Sequence, residues 1–351
     1  MSRKQKSHEQ VHFGSPLVIG VDVHKNSYAV AILDEDGRSV VFSMPADNKA
    51  FVSKICSFRQ PIKVVAYEAG PCGYSLYRTC KAADINSLVA ASSRIPRPVT
   101  RANKTDRLDC RKLAEYAARD MLTPVNVPTE AEEMLRSLQR RHHLLTDRIR
   151  STRQNIRSLL LEYHISEPQK LSSWSKASVE ELNKLQLEPV LKETLASYLR
   201  EVSYLLKERQ IVDNTILSVT PETGIKRMNL LQTVPGVGPV LAMTFNSEIF
   251  RPERFATGER LSSYVGLAPV ISQSGESSAT GRLVKNGQQR LKSLLIECAW
   301  LHKSRDVCAE MLYRRVLSKT GCAQKAIVAV ARRLSTLLWR LCIENREYKI
   351  A

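Results

Sequence analysis

Between residues 17 and 120 the chain reads as three strands followed by alternating helices and strands, an order that severely restricts the fold. Val18–Val23, Tyr28–Leu33 and Ser39–Phe42 have strand character, with the turn signal Asp34-Glu35-Asp36-Gly37 between the second and third. A helix is predicted near Asn48–Phe58, then a strand at Val64–Glu68. After the break Gly70-Pro71-Cys72-Gly73 come a helix at Tyr74–Ala83 and a strand at Ser87–Ala91. Asp106–Arg119 then carries Leu108, Leu113, Ala114 and Ala117 at helical spacing.

Three strands, helix, strand, helix, strand, helix is the order of an α/β RNase H-like domain. In that fold the first strand, the fourth strand and the last helix meet at one sheet edge, and here each carries acid: Asp22, Glu68, and the i, i+3 pair Asp106 and Asp109. A carboxylate in or at the end of a buried strand is costly unless a cation compensates it. Oxygen-only ligands from three segments suit Mg²⁺ or Mn²⁺, and two such cations would serve phosphoryl transfer. A simpler account makes Asp22 a strand-end residue and the helix pair favourable N-terminal charges. It explains the pair well and Asp22 poorly.

The formal net charge is +18, with 53 Lys and Arg against 35 Asp and Glu, which suits a polyanionic partner. The eight cysteines form no C-x-x-C pair, which argues against zinc and a disulfide framework and for reduced thiols in a cytoplasmic protein. No apolar signal segment follows the charged start, and the apolar helix 326–343 is interrupted by Arg332, Arg333 and Arg340, so no membrane span is expected.

From Thr129, an N-cap followed by Glu130, Glu132 and Glu133, a long helix is predicted. Leu138, His142, Leu145, Ile149, Thr152, Ile156, Leu159 and Tyr163 form a heptad seam. Arg136, Arg140, Arg141, Arg148, Arg150, Arg153 and Arg157 lie off it. A second helix over 189–217 carries Leu195, Leu199, Val202, Leu206 and Ile216 on one stripe, so the two could pair within the chain or between copies as a coiled coil. The last third is helical. Its turn Val234-Pro235-Gly236-Val237-Gly238 could present backbone N–H groups to a phosphate, although tight helix–helix turns look the same. A polar stretch from Gly266 to Arg290 holds Ser272, Ser274, Ser277 and Ser278 with Arg282, Lys285 and Arg290. By composition it is a surface loop or a phosphate-chemistry site, and composition does not choose among the serines.

Five segments together resemble one family: Val18 to Lys25, Tyr67-Glu68-Ala69-Gly70-Pro71 to Tyr74, Lys104-Thr105-Asp106 to Asp109, Val234 to Gly238, and Tyr264 to Pro269 with Gln273-Ser274-Gly275. They are similar, in order, to the transposases of insertion-sequence family one-ten, and His24-Lys25 is closer to its eleven-eleven subgroup. The match spans roughly residues 17 to 345. One departure is Leu283-Val284-Lys285, where the family pattern has Ile-Ser-Lys.

The resemblance implies an N-terminal tail over 1–16, a RuvC-like domain over 17–124, a coiled-coil region over 129–220 and a C-terminal transposase domain over 229–345. It implies DNA strand cleavage and exchange by a recombinase guided by a non-coding bridge RNA, acting as a dimer or tetramer. Asp22, Glu68, Asp106 and Asp109 would be the catalytic metal ligands and Ser274 the nucleophile. Arg136, Arg140, Arg141, Arg148, Gly236, Gly238, Arg282, Lys285 and Arg290 are the candidate nucleic-acid contacts. A RuvC-like endonuclease would need the acids but no serine. A sugar kinase would need later glycine-rich loops that are missing between 60 and 220. A non-catalytic nucleic-acid-binding protein would not need all four acids.

Overall fold

The computed structural model describes residues 13–14, 16–96, 106–169, 171–274, 277–283 and 287–349; at 106–107, 270–274 and 277–283 it describes the backbone alone. The chain divides into two compact units between Pro128 and Thr129.

The first unit contains β1 (Leu17–Val23), β2 (Ser27–Leu33), β3 (Ser39–Pro45), α1 (Asn48–Cys56), β4 (Ile62–Glu68), α2 (Ser75–Ala82), β5 (Ser87–Ala90) and α3 (Asp106–Ala118). They occur in the predicted order. The sheet order is β3-β2-β1-β4-β5. The first three strands pair antiparallel, whereas β1–β4 and β4–β5 are parallel. Two-residue alternation sorts the side chains of β1 between two cores. Ile19 and Val21 join Val30, Ile32, Val65 and Tyr67 beneath Phe51, Ile55, Leu76 and Cys80 of α1 and α2. Val18 joins Ala29, Ala31 and Ala66 beneath Cys110, Leu113, Ala114 and Ala117 of α3. Burial on both faces explains why these strands read as nearly unbroken apolar runs.

The face under α3 is made of small residues, and at Gly20 there is no room for any side chain. A Cβ there would lie 2.1 Å from the Cys110 carbonyl oxygen and 2.5 Å from the Ala114 nitrogen. Glycine thus sets how closely α3 lies on β1.

The second unit begins with α4 (Glu130–Glu162), whose capping box joins Thr129 Oγ1 to the Glu132 N–H and Glu132 Oε2 to the Thr129 N–H. After α5 (Lys176–Lys184), α6 (Pro189–Val219) returns along α4. His142 meets Asp213, Leu145 and Ile149 meet Leu205, and Ile156 and Leu160 meet Leu195 and Leu199. The pairing is an antiparallel hairpin within one chain.

The buried stripe of α4 keeps heptad spacing only from His142 to Ile156. Beyond it, Leu135, Gln139 and Leu160 are buried, Leu138 and Leu159 are half-buried, and Tyr163 is exposed at the helix end. The predicted seam is corrected there because a 3.6-residue turn drifts from a 3.5-residue repeat.

The remaining helices are α7 (Glu222–Gln232), α8 (Pro239–Ile249), α9 (Gly258–Val265), α10 (Gln289–Lys303), α11 (Val307–Thr320) and α12 (Ala323–Glu344). They share a core that includes Leu231, Phe245, Leu261, Leu295, Leu334 and Leu338. Between α9 and α10, where the sequence left a surface loop open, β6 (Pro269–Ser274) and β7 (Ser277–Leu283) pair antiparallel. The backbone groups of this polar stretch satisfy one another, a possibility composition does not display. Among the described residues no helix is long and apolar enough to cross a membrane.

Replacing Gly20 with valine forces Cβ against α3 backbone, so the first unit should lose about 3 kcal/mol or more. Thermal unfolding followed by circular dichroism checks this; a melting profile matching the parent's would show that α3 can lift off β1 freely.

Candidate active site

Asp22 is the penultimate residue of β1 and Glu68 the last of β4. The strands are parallel neighbours with Val21 opposite Tyr67, so both acids finish at one sheet edge. By alternation they lie on the face of Gly20 and Ala66, the face that α3 covers. Asp109 sits in the first turn of α3, beside Cys110, whose backbone contacts Gly20. The Cys110 thiol is pushed up to about 11, first by burial, with the Asp22 and Asp109 carboxylates adding to the rise. The two acids therefore act on the same buried sulfur. Asp106 opens α3, and its side chain lies outside the described residues.

Asp22 is 22% exposed, and its Oδ2 lies 3.1 Å from Nε2 of His24. Glu68 is exposed. The candidate donors are all carboxylates, two at the carboxyl ends of parallel strands and two in the first turn of α3, which fits a hard divalent cation in kind. Among the described residues no three His, Cys, Asp or Glu side chains stand close enough to hold an ion as placed. Asp106 would have to supply part of the set. Beside this edge a cavity of about 620 Å³ is lined by His24, Lys25, Asn48, Lys49 and Ser75, among others. Among the described residues none of the four acids lines this cavity, which lies on the α1–α2 side of the sheet.

Ser274 ends β6 opposite Ser277 of β7, at the tip of the hairpin, and Arg282 lies near the end of β7. Lys285 lies outside the described residues. Arg290 is the second residue of α10.

The Gly236 turn serves packing. Gly236 has φ 88°, and a Cβ would stand 2.7 Å from the His302 nitrogen of α10. The His302 ring is fixed in turn, with Nδ1 2.9 Å from the Pro235 carbonyl oxygen. Gly238 precedes α8; its N–H faces the Cys298 thiol and opposes the rise that burial imposes there. This turn is accounted for without a phosphate.

The predicted arginines divide. Arg136 is 14% exposed, with Nε 3.3 Å from Glu248 Oε2 and its guanidinium 4.9 Å from the Phe250 ring centroid. Arg140 is exposed but also approaches Glu248, at 3.4 Å. Glu248 lies buried in α8, and its carboxylate holds these cations to the fold. Arg136 is therefore a packing residue here. Arg148 is exposed and Arg141 half-buried.

Residues 228–314 match the profile described as the transposase IS116/IS110/IS902 family. Residues 19–165 match the DEDD transposase profile of IS110. The chain belongs to the IS110 family of transposases. The four acids fall in the DEDD match, and Ser274, Arg282 and Arg290 in the other. The chain is 27% identical to the protein y4qE of Sinorhizobium fredii over 94% of this chain and 89% of that one. It is 24% identical to the transposase for insertion sequence element IS1111A of Coxiella burnetii, over 95% and 91%. It is 26% identical to the transposase for insertion sequence element IS1533 of Leptospira borgpetersenii, over 82% and 85%.

This IS110-family transposase also buries a polar seam between α4 and α8. Thr244 Oγ1 accepts from Gln139 Nε2 at 3.0 Å and lies 3.0 Å from His143 Nε2. Burial, then the charges of His142 and Arg290, lower the His143 pKa from 6.5 to about 4. The unfolded chain binds a proton between these values that the native state refuses, so stability should fall as pH drops from about 6.5 towards 4. His143→Gln should flatten that fall in urea midpoints measured across the range; an unaltered acid limb would assign it to other groups.

Proposed function

We propose that the protein catalyses DNA strand cleavage and exchange for insertion-sequence transposition, with Asp22, Glu68, Asp106 and Asp109 as metal ligands and Ser274 as nucleophile. The observation that carries the reading is the convergence of Asp22, Glu68 and the first turn of α3 on one sheet edge. The wider setting fits it: an RNase H-like order of strands, and a match to a DEDD transposase profile.

Mg²⁺ or Mn²⁺, when bound, would polarise the scissile phosphate and offset the negative charge that builds on it. The carboxylates would hold the cation at the sheet edge, and α3, locked on Gly20, fixes the distance of Asp109 from Asp22. Ser274 Oγ attacks phosphorus, forming a serine–phosphate ester as the bond to one DNA oxygen breaks, and the serine proton leaves to a base or to solvent. Attack on that ester by the hydroxyl of a second DNA end restores the serine and joins the strands, so no outside oxidant or energy source is needed.

The reading includes donor and target DNA, a structured bridge RNA as guide, and a homo-oligomer, dimer or tetramer, in which one protomer's acids act with another's Ser274. The +18 charge supports a polyanionic partner. The coiled-coil role of α4 and α6 in that assembly belongs to the same proposal.

Asp22→Asn should lower strand exchange about a thousandfold, the loss of roughly 4 kcal/mol of transition-state stabilisation, while leaving RNA binding in place. Normal recombination in Mg²⁺ would refute the metal site. Ser274→Ala, incubated with guide RNA and both DNA partners, should yield no covalent protein–DNA adduct. Retained cleavage without an adduct in the parent protein would favour a RuvC-like endonuclease using water.

A further inference from the structure

A pocket of about 250 Å³ opens on the α4–α6 hairpin, lined by Arg150, Arg153 and Arg157 of α4, Arg209 of α6 and Trp174 of the α4–α5 connection. The three α4 arginines follow at steps of three and four, so they share a face. The Arg153 guanidinium carbon sits over Trp174, 4.9 Å from the ring centroid, and Trp174 itself has a positive φ of 49°.

Two carboxylates approach this group. Asp147 pairs with Arg150, and Glu167 stands 3.7 Å from Arg157 Nε, beyond hydrogen-bond reach. Four guanidiniums against two carboxylates leave two positive charges in excess. Arg153 Nε and Arg157 Nε are buried and have no hydrogen-bond partner among the described residues. A buried charged donor without an acceptor is costly. Burial and then the charge of Arg209 also lower the proton affinity of Arg153.

The same unit shows what a structural arginine cluster looks like: Arg136 and Arg140 are closed by the buried carboxylate of Glu248. Among the described residues no buried carboxylate closes the Trp174 pocket. The four guanidiniums line a space that admits an oxyanion, and two unmet N–H groups beside excess positive charge match a phosphate's requirements.

We infer that this pocket binds a backbone phosphate of a nucleic-acid strand, with Arg153 and Arg209 as the principal contacts and Trp174 holding the Arg153 plane. The inference rests on the nucleic-acid reading above and deepens it by naming a site. Arg153, Arg157 and Arg209 extend the basic surface along the hairpin beyond exposed Arg148. A site of this kind is kept unstable until its anion arrives, so removing one cation should not harm the empty protein.

The test uses the full chain with a fluorescein-labelled hairpin RNA and a labelled DNA duplex, read by anisotropy across a salt series. Arg209→Gln should weaken binding of at least one probe about tenfold at low salt and reduce the slope of log affinity against log salt by about one. Its thermal midpoint should equal or exceed the parent's, because a repulsion with Arg153 is gone; a residue that merely supported the fold would lower it. Arg209→Lys should recover most of the slope. Parent-like binding of both probes by Arg209→Gln and Arg153→Gln would overturn the pocket and leave the parent reading standing. Failure of the unaltered protein to bind either probe would overturn both. A further arm titrates inorganic phosphate: stabilisation of the parent but not of Arg209→Gln, with probe binding unchanged, would mark a free-anion site and overturn the nucleic-acid occupant.

Discussion

The contact between α3 and Gly20 is the constraint on which the candidate active site depends. A helix can lie directly on a strand only where the strand presents no side chain, and here the Cys110 and Ala114 backbone occupies the space a Cβ would take. Ala29, Ala31 and Ala66 continue the shallow surface to either side. Because α3 is held so close, Asp109 in its first turn shares an environment with Asp22 two residues beyond the glycine. Without that approach the acids of α3 would stand apart from Asp22 and Glu68, which the β1–β4 pairing brings to one edge. The opposite face of the same sheet is filled with Ile19, Val21, Tyr67 and Phe51, and large side chains there carry stability rather than position.

In the second unit the organising physics is the treatment of buried charge. Glu248 is enclosed in α8 and tolerated because Arg136 and Arg140 reach it from α4. His142 and Asp213 join α4 to α6 in the same manner. The first contact ties α4 to α8, and the second marks one register of the α4–α6 hairpin. The Trp174 pocket breaks the pattern, with four guanidiniums gathered against two carboxylates. One stretch of α4 thus holds arginines of two kinds, which a helical net drawn from sequence treats as one basic stripe.

Much of the first unit was legible. The strands and helices stand in the predicted order because alternation, turn residues and helical spacing act locally, and each boundary has its own chemical signal. The site was legible as a set of acids, since a carboxylate in an apolar run such as Val21-Asp22-Val23 is conspicuous. Less of the second unit was. Heptad spacing overran the true seam at both ends, and Arg136 looked like a surface cation. The hairpin β6–β7 was hidden because its residues are polar and its pairing partners are known only once the chain folds back. Gly236 resembled a phosphate turn because tight packing against His302 and a phosphate both demand a residue without a side chain.

By itself the sequence determined the order of the elements, the acids and their segments, the basic excess and the membership of a transposase family. Each of these is set by residue type, by short-range spacing or by similarity along the chain. Only the tertiary structure decided that Asp22 and Glu68 share a sheet edge, that α3 closes on a glycine, and which arginines are neutralised. Those are matters of distance between residues far apart in the chain, and charge compensation has no meaning until the distance is known.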